Sequence, residues 1–243
     1  MQAKNIAIIG SAGAIGKAFT NQLAQRYPSS TIYAFSRQIM GKSSETAANI
    51  VHGFIDYQNE ESIAQAAALA SQEQPLDLVI VTTGMLHDET QRPEKCLRDL
   101  SADKFIKSFQ ANTVLPAIAA KHFIPTLNRQ SPAIFAALSA RVGSITDNQL
   151  GGWYAYRCSK AALNMLIKNA AIETARCNKQ AIVIGLHPGT VDSDLSKPFQ
   201  KNIKPSQLFS PQQSVQKMLD VLNTVNTASS GQCFAWDGQT IAP

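Results

Sequence analysis

Short apolar runs alternate with longer amphipathic or alanine-rich stretches along most of the chain. Several runs are apolar at nearly every position and rich in Ile, Val, Leu or Phe, which is typical of strands buried on both faces of a parallel sheet. The pattern predicts seven strands, at residues 5–9, 31–36, 50–55, 76–81, 132–138, 181–187 and 232–236.

The stretches between these runs carry helix signals. Helices are predicted at residues 14–26, 60–71, 101–130, from just after Gly152 to about residue 177, and at 211–223. We expect the third helix to break or bend near Pro116 and the last to begin at Pro211. Because strands and helices alternate, the sequence predicts one α/β domain over residues 1–243, with a parallel sheet covered by helices on both faces.

Composition and charge narrow the classes of function. The chain has 243 residues, 44% of them hydrophobic and 16% charged, which can fill a sizeable core. Four scattered cysteines without a CxxC pair predict neither a metal site nor a disulfide framework, and they suit a cytoplasmic location. We expect no signal sequence and no membrane partner, because the apolar runs are short. The net charge of +5 comes without basic and aromatic clusters, so no nucleic acid partner is expected.

A glycine-rich turn, Gly10-Ser11-Ala12-Gly13-Ala14-Ile15-Gly16, joins the first strand to the first helix. Glycines permit a tight turn and close backbone approach, while free N–H groups and the helix dipole attract a pyrophosphate. An ordinary tight turn would contain similar residues, but the position directly after the first strand favours a dinucleotide site.

The end of the second strand indicates which dinucleotide this site would take, because it meets the adenosine ribose in such folds. Ser36-Arg37 stands there without an acidic residue, and an arginine fork suits a 2′-phosphate. Lys17 could assist. We therefore expect NADP(H) rather than NAD(H), the alternative being that Arg37 is only a solvated side chain. Asp56 could accept from the adenine amino group or could cap the next helix.

Tyr156 and Lys160 lie four residues apart and share one face of a predicted helix. Free tyrosine has a pKa of about 10 and is a poor acid or base at neutral pH. A nearby ammonium favours the phenolate, so the pair predicts a lowered tyrosine pKa and a general acid/base for a carbonyl or alcohol oxygen. The same spacing also arises in incidental surface pairs; Tyr154, four residues before Cys158, has no lysine partner.

Several segments together resemble the short-chain dehydrogenase/reductase family. The segment YRCSKAALNML is similar to the family's active-site helix, GSAGAIG to its cofactor loop, and HPGTVDSDL to its Pro-Gly segment. FQANTVLPAI places Asn112 at a fourth active-site position, and SGQCFAWDGQTIAP resembles the last strand and tail. The resemblance covers nearly the whole chain and is greatest to the C-factor-like and Sniffer-like carbonyl reductases.

The resemblance implies a single-domain Rossmann fold with a doubly wound, seven-stranded parallel sheet, assembled as a homodimer or homotetramer. It implies hydride transfer between a nicotinamide and a small-molecule carbonyl or alcohol. Tyr156 would transfer the proton, Lys160 would bind the nicotinamide ribose and lower the tyrosine pKa, and Asn112 would hold a water beside Lys160. The expected cofactor-binding residues are Gly10, Ser11, Gly13, Ala14, Ile15, Gly16, Ser36, Arg37, Asp56, Thr82, Thr83, Gly84, Tyr156, Lys160, Pro188, Gly189, Val191 and Ser193.

Two departures from the family pattern affect the cofactor site. Ala14 stands where the family loop has its second glycine, and Gly13 lies one residue earlier. The usual Asn-Asn-Ala-Gly after the fourth strand is replaced by Val81-Thr82-Thr83-Gly84. We expect the hydroxyl of Thr82 or Thr83 to supply the structural link that the asparagine normally makes.

A third departure concerns the catalytic serine. Counting back three residues from Gly143, its position is occupied by Ala140. Ser139 points the opposite way on a regular strand, although a bulge or the strand end could turn it inward, and Ser144 follows the glycine. We favour Ser139 over Ser144. Complete loss of this hydrogen-bond donor would lower the rate about a hundredfold or more.

Residues 190–210 are expected to cover the substrate, together with the loop 85–100 and residues 145–153. Leu86, Trp153, Leu195, Phe199 and Phe209 predict a hydrophobic aldehyde or ketone, unless they serve only to pack this segment onto the core. A rival interpretation is a nucleotide-sensing or signalling protein with little turnover, which the altered serine position favours. A sugar-nucleotide epimerase or dehydratase ranks last, because the region after the sixth strand is short.

Overall fold

The computed structural model describes residues 3–38, 47–89 and 91–243. Its strands follow the apolar runs of the sequence closely, and three further short strands join them. The strands are β1 (Asn5–Ile9), β2 (Thr31–Ser36), β3 (Ile50–Phe54), β4 (Leu78–Val81), β5 (Ala133–Leu138), β6 (Ala181–His187), β7 (Thr190–Val191), β8 (Leu208–Phe209), β9 (Cys233–Ala235) and β10 (Thr240–Ile241).

The helices also lie where the sequence predicts them. They are α1 (Ala14–Arg26), α2 (Glu60–Ser71), α3 (Ala102–Phe109), α4 (Leu115–Phe123), α5 (Tyr154–Cys177) and α6 (Pro211–Thr224). Ser210 caps α6 in a reciprocal pair with Gln213, and Pro211 occupies the first turn, where a missing N–H costs nothing. The helix start expected at Pro211 is therefore confirmed.

The predicted break near Pro116 is confirmed. The long helix is divided just before this proline, by the π-helical segment Gln110–Val114, which joins α3 to α4. Pro116 sits in the first turn of α4, where it is tolerated. The π-helical turn is the feature that brings Asn112 to the site described below.

The main sheet has eight strands in the order β10-β9-β6-β5-β4-β1-β2-β3. Seven of them are parallel, as predicted, and the last, β10, pairs antiparallel with β9. The count of seven strands was therefore one too low, because the two-residue β10 is too short to show a periodic pattern. A separate two-stranded sheet, β7 with β8, lies within residues 190–210, the segment expected to cover the substrate.

Alternate residues of the strands enter two different apolar clusters, one on each face of the sheet. In β1, Ala7 and Ile9 join the cluster that α2, α4 and α5 cover, whereas Ile6 and Ile8 join the cluster beneath α1 and α6. This arrangement confirms the predicted α/β architecture with helices on both faces. Within the described residues, no helix is both long and apolar enough to cross a bilayer.

The sheet has a topological switch point between β1 and β4. From β1 the chain adds β2 and β3 on one side, and it then returns to add β4, β5 and β6 on the other. The connections therefore leave the carboxyl ends of β1 and β4 in opposite directions and open a crevice there, which is where ligands bind in open α/β sheets.

Candidate active site

A cavity of about 470 Å³ opens at the carboxyl ends of the central strands, beneath residues 190–210. Many of the predicted site residues line it together, although they come from five separate parts of the chain. Those residues are Gly13, Ala14, Ile15, Gly16, Thr82, Thr83, Gly84, Ser139, Tyr156, Lys160, Pro188, Gly189, Val191 and Ser193.

The glycine-rich turn is held against the end of β2. Gly10 and Ser11 both donate backbone hydrogen bonds to the Phe35 carbonyl oxygen, at 2.9 and 3.0 Å. Gly10 has a φ of +97°, a conformation that side chains rarely adopt. A Cβ on Gly16 would lie 2.2 Å from the Gly10 carbonyl oxygen, so this position has no room for a side chain. The turn therefore depends on glycine at both ends of the loop.

Thr82 makes the link that the sequence assigned to either Thr82 or Thr83. Its hydroxyl lies 2.9 Å from the Ile9 carbonyl oxygen and 3.0 Å from that of Gly10, so it ties the end of β4 to the turn after β1. The hydroxyl oxygen of Thr83 is buried and has no partner among the described residues. Thr82 thus has a structural contact, whereas Thr83 offers a free hydroxyl beside the cavity.

Three residues predicted to contact the adenosine end do not line the cavity itself. The Ser36 hydroxyl donates to the Gln38 carbonyl oxygen. Arg37 is exposed, with its guanidinium carbon 5.4 Å from the centre of the Tyr57 ring. Asp56 accepts from the Gln58 N–H at 2.9 Å. The helix cap that the sequence offered as an alternative role for Asp56 is made by Asn59, which accepts from the N–H groups of residues 61 and 62.

The residues around the turn fit a dinucleotide on two structural grounds. The hydroxyl oxygens of Ser11 and Thr83 are buried without a hydrogen-bond partner among the described residues. The first turn of α1 contains no acidic residue, and Gly13 provides no side-chain cap for its N–H groups. Unpaired buried polar groups and an open helix N-terminus both favour an anionic ligand with hydrogen-bonding oxygens.

Tyr156 and Lys160 lie on the same face of α5; Lys160 is buried and Tyr156 is half-buried. The Lys160 ammonium is 5.9 Å from the centre of the Tyr156 ring and donates a 2.8 Å hydrogen bond to the Leu138 carbonyl oxygen. Burial raises the pKa of Tyr156 to about 12 and lowers the pKa of Lys160 to about 8. The prediction of a lowered tyrosine pKa is therefore wrong for this structure, because loss of solvation determines the pKa of the phenol.

Asn112 connects the loop after β4 to α5 through side-chain hydrogen bonds. Its amide accepts from the Met85 N–H and donates to the Met85 carbonyl oxygen, both at 2.8 Å, and it also donates to the Ser159 hydroxyl at 3.1 Å. A Cβ on Gly84 would lie 3.5 Å from the Asn112 amide oxygen and 3.7 Å from the Lys160 ammonium. Asn112 and Lys160 therefore face the same small space beside Gly84.

The serine position differs from the predicted arrangement. Ser139 lines the cavity, but its side chain is buried and its hydroxyl lies 2.6 Å from the Asn164 amide oxygen, to which it donates. Ala140 also lines the cavity and has no polar group to offer. Ser144 accepts from the Asp147 N–H at 3.1 Å and is not among the lining residues. The inward-turned hydroxyl that the sequence assigned to Ser139 is thus already bonded to α5.

Apolar and aromatic side chains form the outer part of the cavity. Leu86, Trp153, Leu195 and Phe199 line it as predicted, with the Trp153 ring 5.0 Å from Phe199 and 6.4 Å from Tyr156, centre to centre. Phe209 does not line it. Its ring packs edge-on against Trp236, with centres 4.8 Å apart. A Cβ on Gly189 would lie 2.8 Å from each ring, so this position has no room for a side chain.

Sequence reasoning missed two residues at this site. Glu94 is buried and accepts from the Ala155 N–H at 3.2 Å, while its carbonyl oxygen accepts from the Trp153 N–H, so it caps the start of α5. Glu94 lies in a polar loop, and nothing in its local sequence marked it. His187 ends β6 and lines the cavity. Its position directly before Pro188-Gly189 was the signal that could have identified it.

Comparison with known proteins agrees with this geometry. The sequence profile of the short chain dehydrogenase family matches residues 4–204. A 1-hydroxy-2-glutathionyl-2-methyl-3-butene dehydrogenase from Rhodococcus sp. (strain AD45) is 28% identical over 82% of each chain. C-signal from Myxococcus xanthus is 30% identical over 60% of this chain and 82% of its own.

Solved structures share the fold over the full length. An NADPH-bound carbonyl reductase from chicken fatty liver superposes with a TM-score of 0.85 at 24% identity and covers 100% of both chains. The carbonyl reductase Sniffer of D. melanogaster superposes with a TM-score of 0.81 at 21% identity and covers 99% of both. At these identities the superpositions establish the fold alone.

Proposed function

The chain belongs to the short-chain dehydrogenase family, and from that membership we propose that it is an NADP(H)-dependent carbonyl reductase with Tyr156 as proton donor. Family membership makes the protein an oxidoreductase. The observation that carries the finer proposal is the pairing of a half-buried, protonated Tyr156 with a buried Lys160 in an apolar cavity.

The cofactor would lie along the glycine-rich turn and across the crevice. The N–H groups at the start of α1 and the Ser11 hydroxyl would hold its pyrophosphate, and Arg37 would pair with a 2′-phosphate. Thr83, Val191 and Ser193 would contact the half of the cofactor inside the cavity. When bound, the nicotinamide supplies the hydride that adds to the carbonyl carbon of the substrate.

Tyr156 donates the proton that completes the alcohol. With a pKa of about 12, its phenol is protonated at neutral pH and is still much more acidic than an alcohol, so it protonates a developing alkoxide readily. The Lys160 ammonium then stabilises the resulting phenolate until solvent returns the proton. Asn112 and Lys160 share the space beside Gly84, where a water held by Asn112 would supply that proton. The protonation state therefore favours reduction over oxidation.

The substrate we propose is a small-molecule aldehyde or ketone with a hydrophobic body. Trp153 and Phe199 present their rings at the outer part of the cavity, and Leu86 and Leu195 complete an apolar wall. Apolar walls with few polar groups near the reacting atoms are typical of small-molecule sites. We further propose that the protein acts in the cytoplasm as a homodimer or homotetramer, as the family resemblance implies.

A cofactor and substrate screen tests this function. Loss of NADPH and NADH absorbance is followed with aliphatic and aromatic aldehydes and ketones, and the affinity for both cofactors is measured by calorimetry. We expect turnover with NADPH and a hydrophobic carbonyl. Tight NADPH binding with no turnover on any carbonyl would instead support the nucleotide-sensing alternative, which the missing serine at Ala140 and the similarity to C-signal favour.

A further inference from the structure

The site contains a polar residue that the proposed mechanism does not use. His187 is the last residue of β6 and lines the cavity, and it is mostly buried. Its Nδ1 atom is buried without a hydrogen-bond partner among the residues that the structure describes. A buried imidazole nitrogen without a partner is unfavourable, and a bound ligand would remove that cost.

The direction of the His187 side chain follows from the register of the strands. Leu138 pairs with Leu186, and the Ser139 N–H donates to the Leu186 carbonyl oxygen, so Ser139 and His187 are neighbours at the ends of β5 and β6. Ser139 faces α5, because its hydroxyl contacts Asn164. His187 follows Gly185 by two residues, and a Cβ on Gly185 would meet Ile167 of α5. Both residues therefore point toward the helix that carries Tyr156.

This part of the cavity lacks a serine hydroxyl that is free to contact a substrate. A carbonyl oxygen that receives a proton from one donor is normally held by a second hydrogen bond as negative charge develops on it. The side chain of Ala140 has no donor, and the Ser139 hydroxyl already donates to Asn164. His187, next to Ser139 on the neighbouring strand, is therefore well placed to supply the second hydrogen bond.

The imidazole of His187 is in a suitable state for this role. Burial and, to a smaller extent, the positive charge of Arg141 lower its pKa to about 4, against the opposing effect of the Asp237 carboxylate. At neutral pH the ring is therefore uncharged, with one N–H to donate and one nitrogen to accept. A neutral imidazole can polarise a carbonyl through such a hydrogen bond.

We propose that His187 binds the substrate's carbonyl oxygen through an imidazole N–H, beside the Tyr156 phenol, in place of the hydroxyl that Ala140 lacks. The inference rests on the proposed reductase function. It makes His187 a substrate-binding residue and gives the cavity two donors aimed at one oxygen.

The test compares two substitutions of similar size. His187→Gln keeps an N–H donor, whereas His187→Met fills the space without one. With 4-nitrobenzaldehyde and NADPH, we expect His187→Met to lower kcat/KM about a hundredfold and His187→Gln to lower it about tenfold or less. Adding Ala140→Ser to His187→Met supplies the absent hydroxyl and is expected to restore kcat/KM about tenfold or more.

A binding measurement separates this inference from the proposed function. Benzamide has a carbonyl oxygen that this reaction cannot reduce, so its affinity in the presence of NADP⁺, measured by calorimetry, reports the hydrogen bond without turnover. We expect His187→Met to weaken benzamide binding about tenfold while the affinity for NADPH stays unchanged.

Equal kinetics and equal benzamide affinity for wild type, His187→Gln and His187→Met would overturn the inference and leave the reductase intact. A loss of NADPH affinity in His187→Met would also overturn it, because His187 would then contact the cofactor. Benzamide binding that depends on His187 without any aldehyde turnover would support the carbonyl contact and refute the reductase. A wild-type protein that neither reduces the aldehyde nor binds the amide would refute both.

Discussion

The Lys160 ammonium lies 5.9 Å from the centre of the Tyr156 ring; Lys160 is buried beside the end of β5, and Tyr156 is half-buried. Burial moves their pKa values apart, up to about 12 for the phenol and down to about 8 for the ammonium. At neutral pH the site therefore holds a protonated acid next to a positive charge. This is the starting state that carbonyl reduction requires.

The first prediction concerns pH. Because the pKa of Lys160 is lowered to about 8, its ammonium is charged below that pH and neutral above it. The Tyr156 phenol remains protonated until about pH 12. We therefore expect kcat for reduction to fall as the pH rises, with an apparent pKa near 8. Above that pH, the Tyr156 phenolate left by proton transfer is no longer stabilised by a charged Lys160. Rates measured between about pH 6 and about pH 10 check this. A profile that stays flat throughout would contradict it.

A second prediction concerns cofactor choice. Arg37 is exposed over Tyr57 at the end of β2, where a 2′-phosphate would lie. Arg37→Ala should weaken NADPH binding about tenfold to a hundredfold, the usual effect of losing a hydrogen bond to a charged group, and should leave NADH binding nearly unchanged. Tyr57→Phe keeps the ring under Arg37 and is the matched control. Calorimetry with both cofactors measures the effect; a wild-type protein that prefers NADH would refute the role of Arg37.

The glycine-rich turn provides a third prediction with an internal control. A Cβ on Gly16 would lie 2.2 Å from a backbone oxygen, whereas a Cβ on Gly13 would lie 3.5 Å from the nearest atom, an ordinary contact. Gly16→Ala should lower the free energy of unfolding by about 2 kcal/mol or more. Gly13→Ala should change it by less than about 1 kcal/mol, since its backbone conformation suits alanine. Chemical denaturation of both variants checks this, and equal stabilities would show that the turn can relax.

The fourth prediction separates the two serines near Ala140. Because the Ser139 hydroxyl donates to Asn164, Ser139→Ala should lower the free energy of unfolding by about 1 to 2 kcal/mol. We expect its kcat/KM to fall less than about tenfold, well below the effect of removing a donor to the reacting oxygen. Ser144→Ala, which lies outside the lining of the cavity, is the control. A hundredfold loss of kcat/KM in Ser139→Ala alone would show that its hydroxyl turns to the substrate after all.

Much of the fold could be predicted because its signals are local. The strand at Asn5–Ile9 and the helix at Ala14–Arg26 have the predicted limits, since an apolar run and a glycine-rich turn mark them directly. The strand at Thr240–Ile241 has only two residues and derives its pairing from Cys233 and Phe234. Its existence depends on a neighbouring strand, and the local sequence does not show it.

The site was harder to predict than the fold, because its chemistry depends on burial. Spacing placed Tyr156 and Lys160 on one helical face, but only the packed structure shows that desolvation dominates both pKa values. The strand pattern likewise could not show that Ser139 already has Asn164 as a partner, since the two residues are 25 positions apart. Long-range contacts of this kind decide which polar groups remain available to a ligand.

The central claim is that the Tyr156 phenol protonates the substrate oxygen. The most direct test is a single-turnover measurement of NADPH oxidation with an aldehyde that the wild type reduces, using Tyr156→Phe and the matched variant Tyr154→Phe on the same helix. We predict that Tyr156→Phe binds NADPH normally and loses about a hundredfold or more in rate, whereas Tyr154→Phe keeps the wild-type rate. A Tyr156→Phe protein that oxidises NADPH as fast as the wild type would contradict the account.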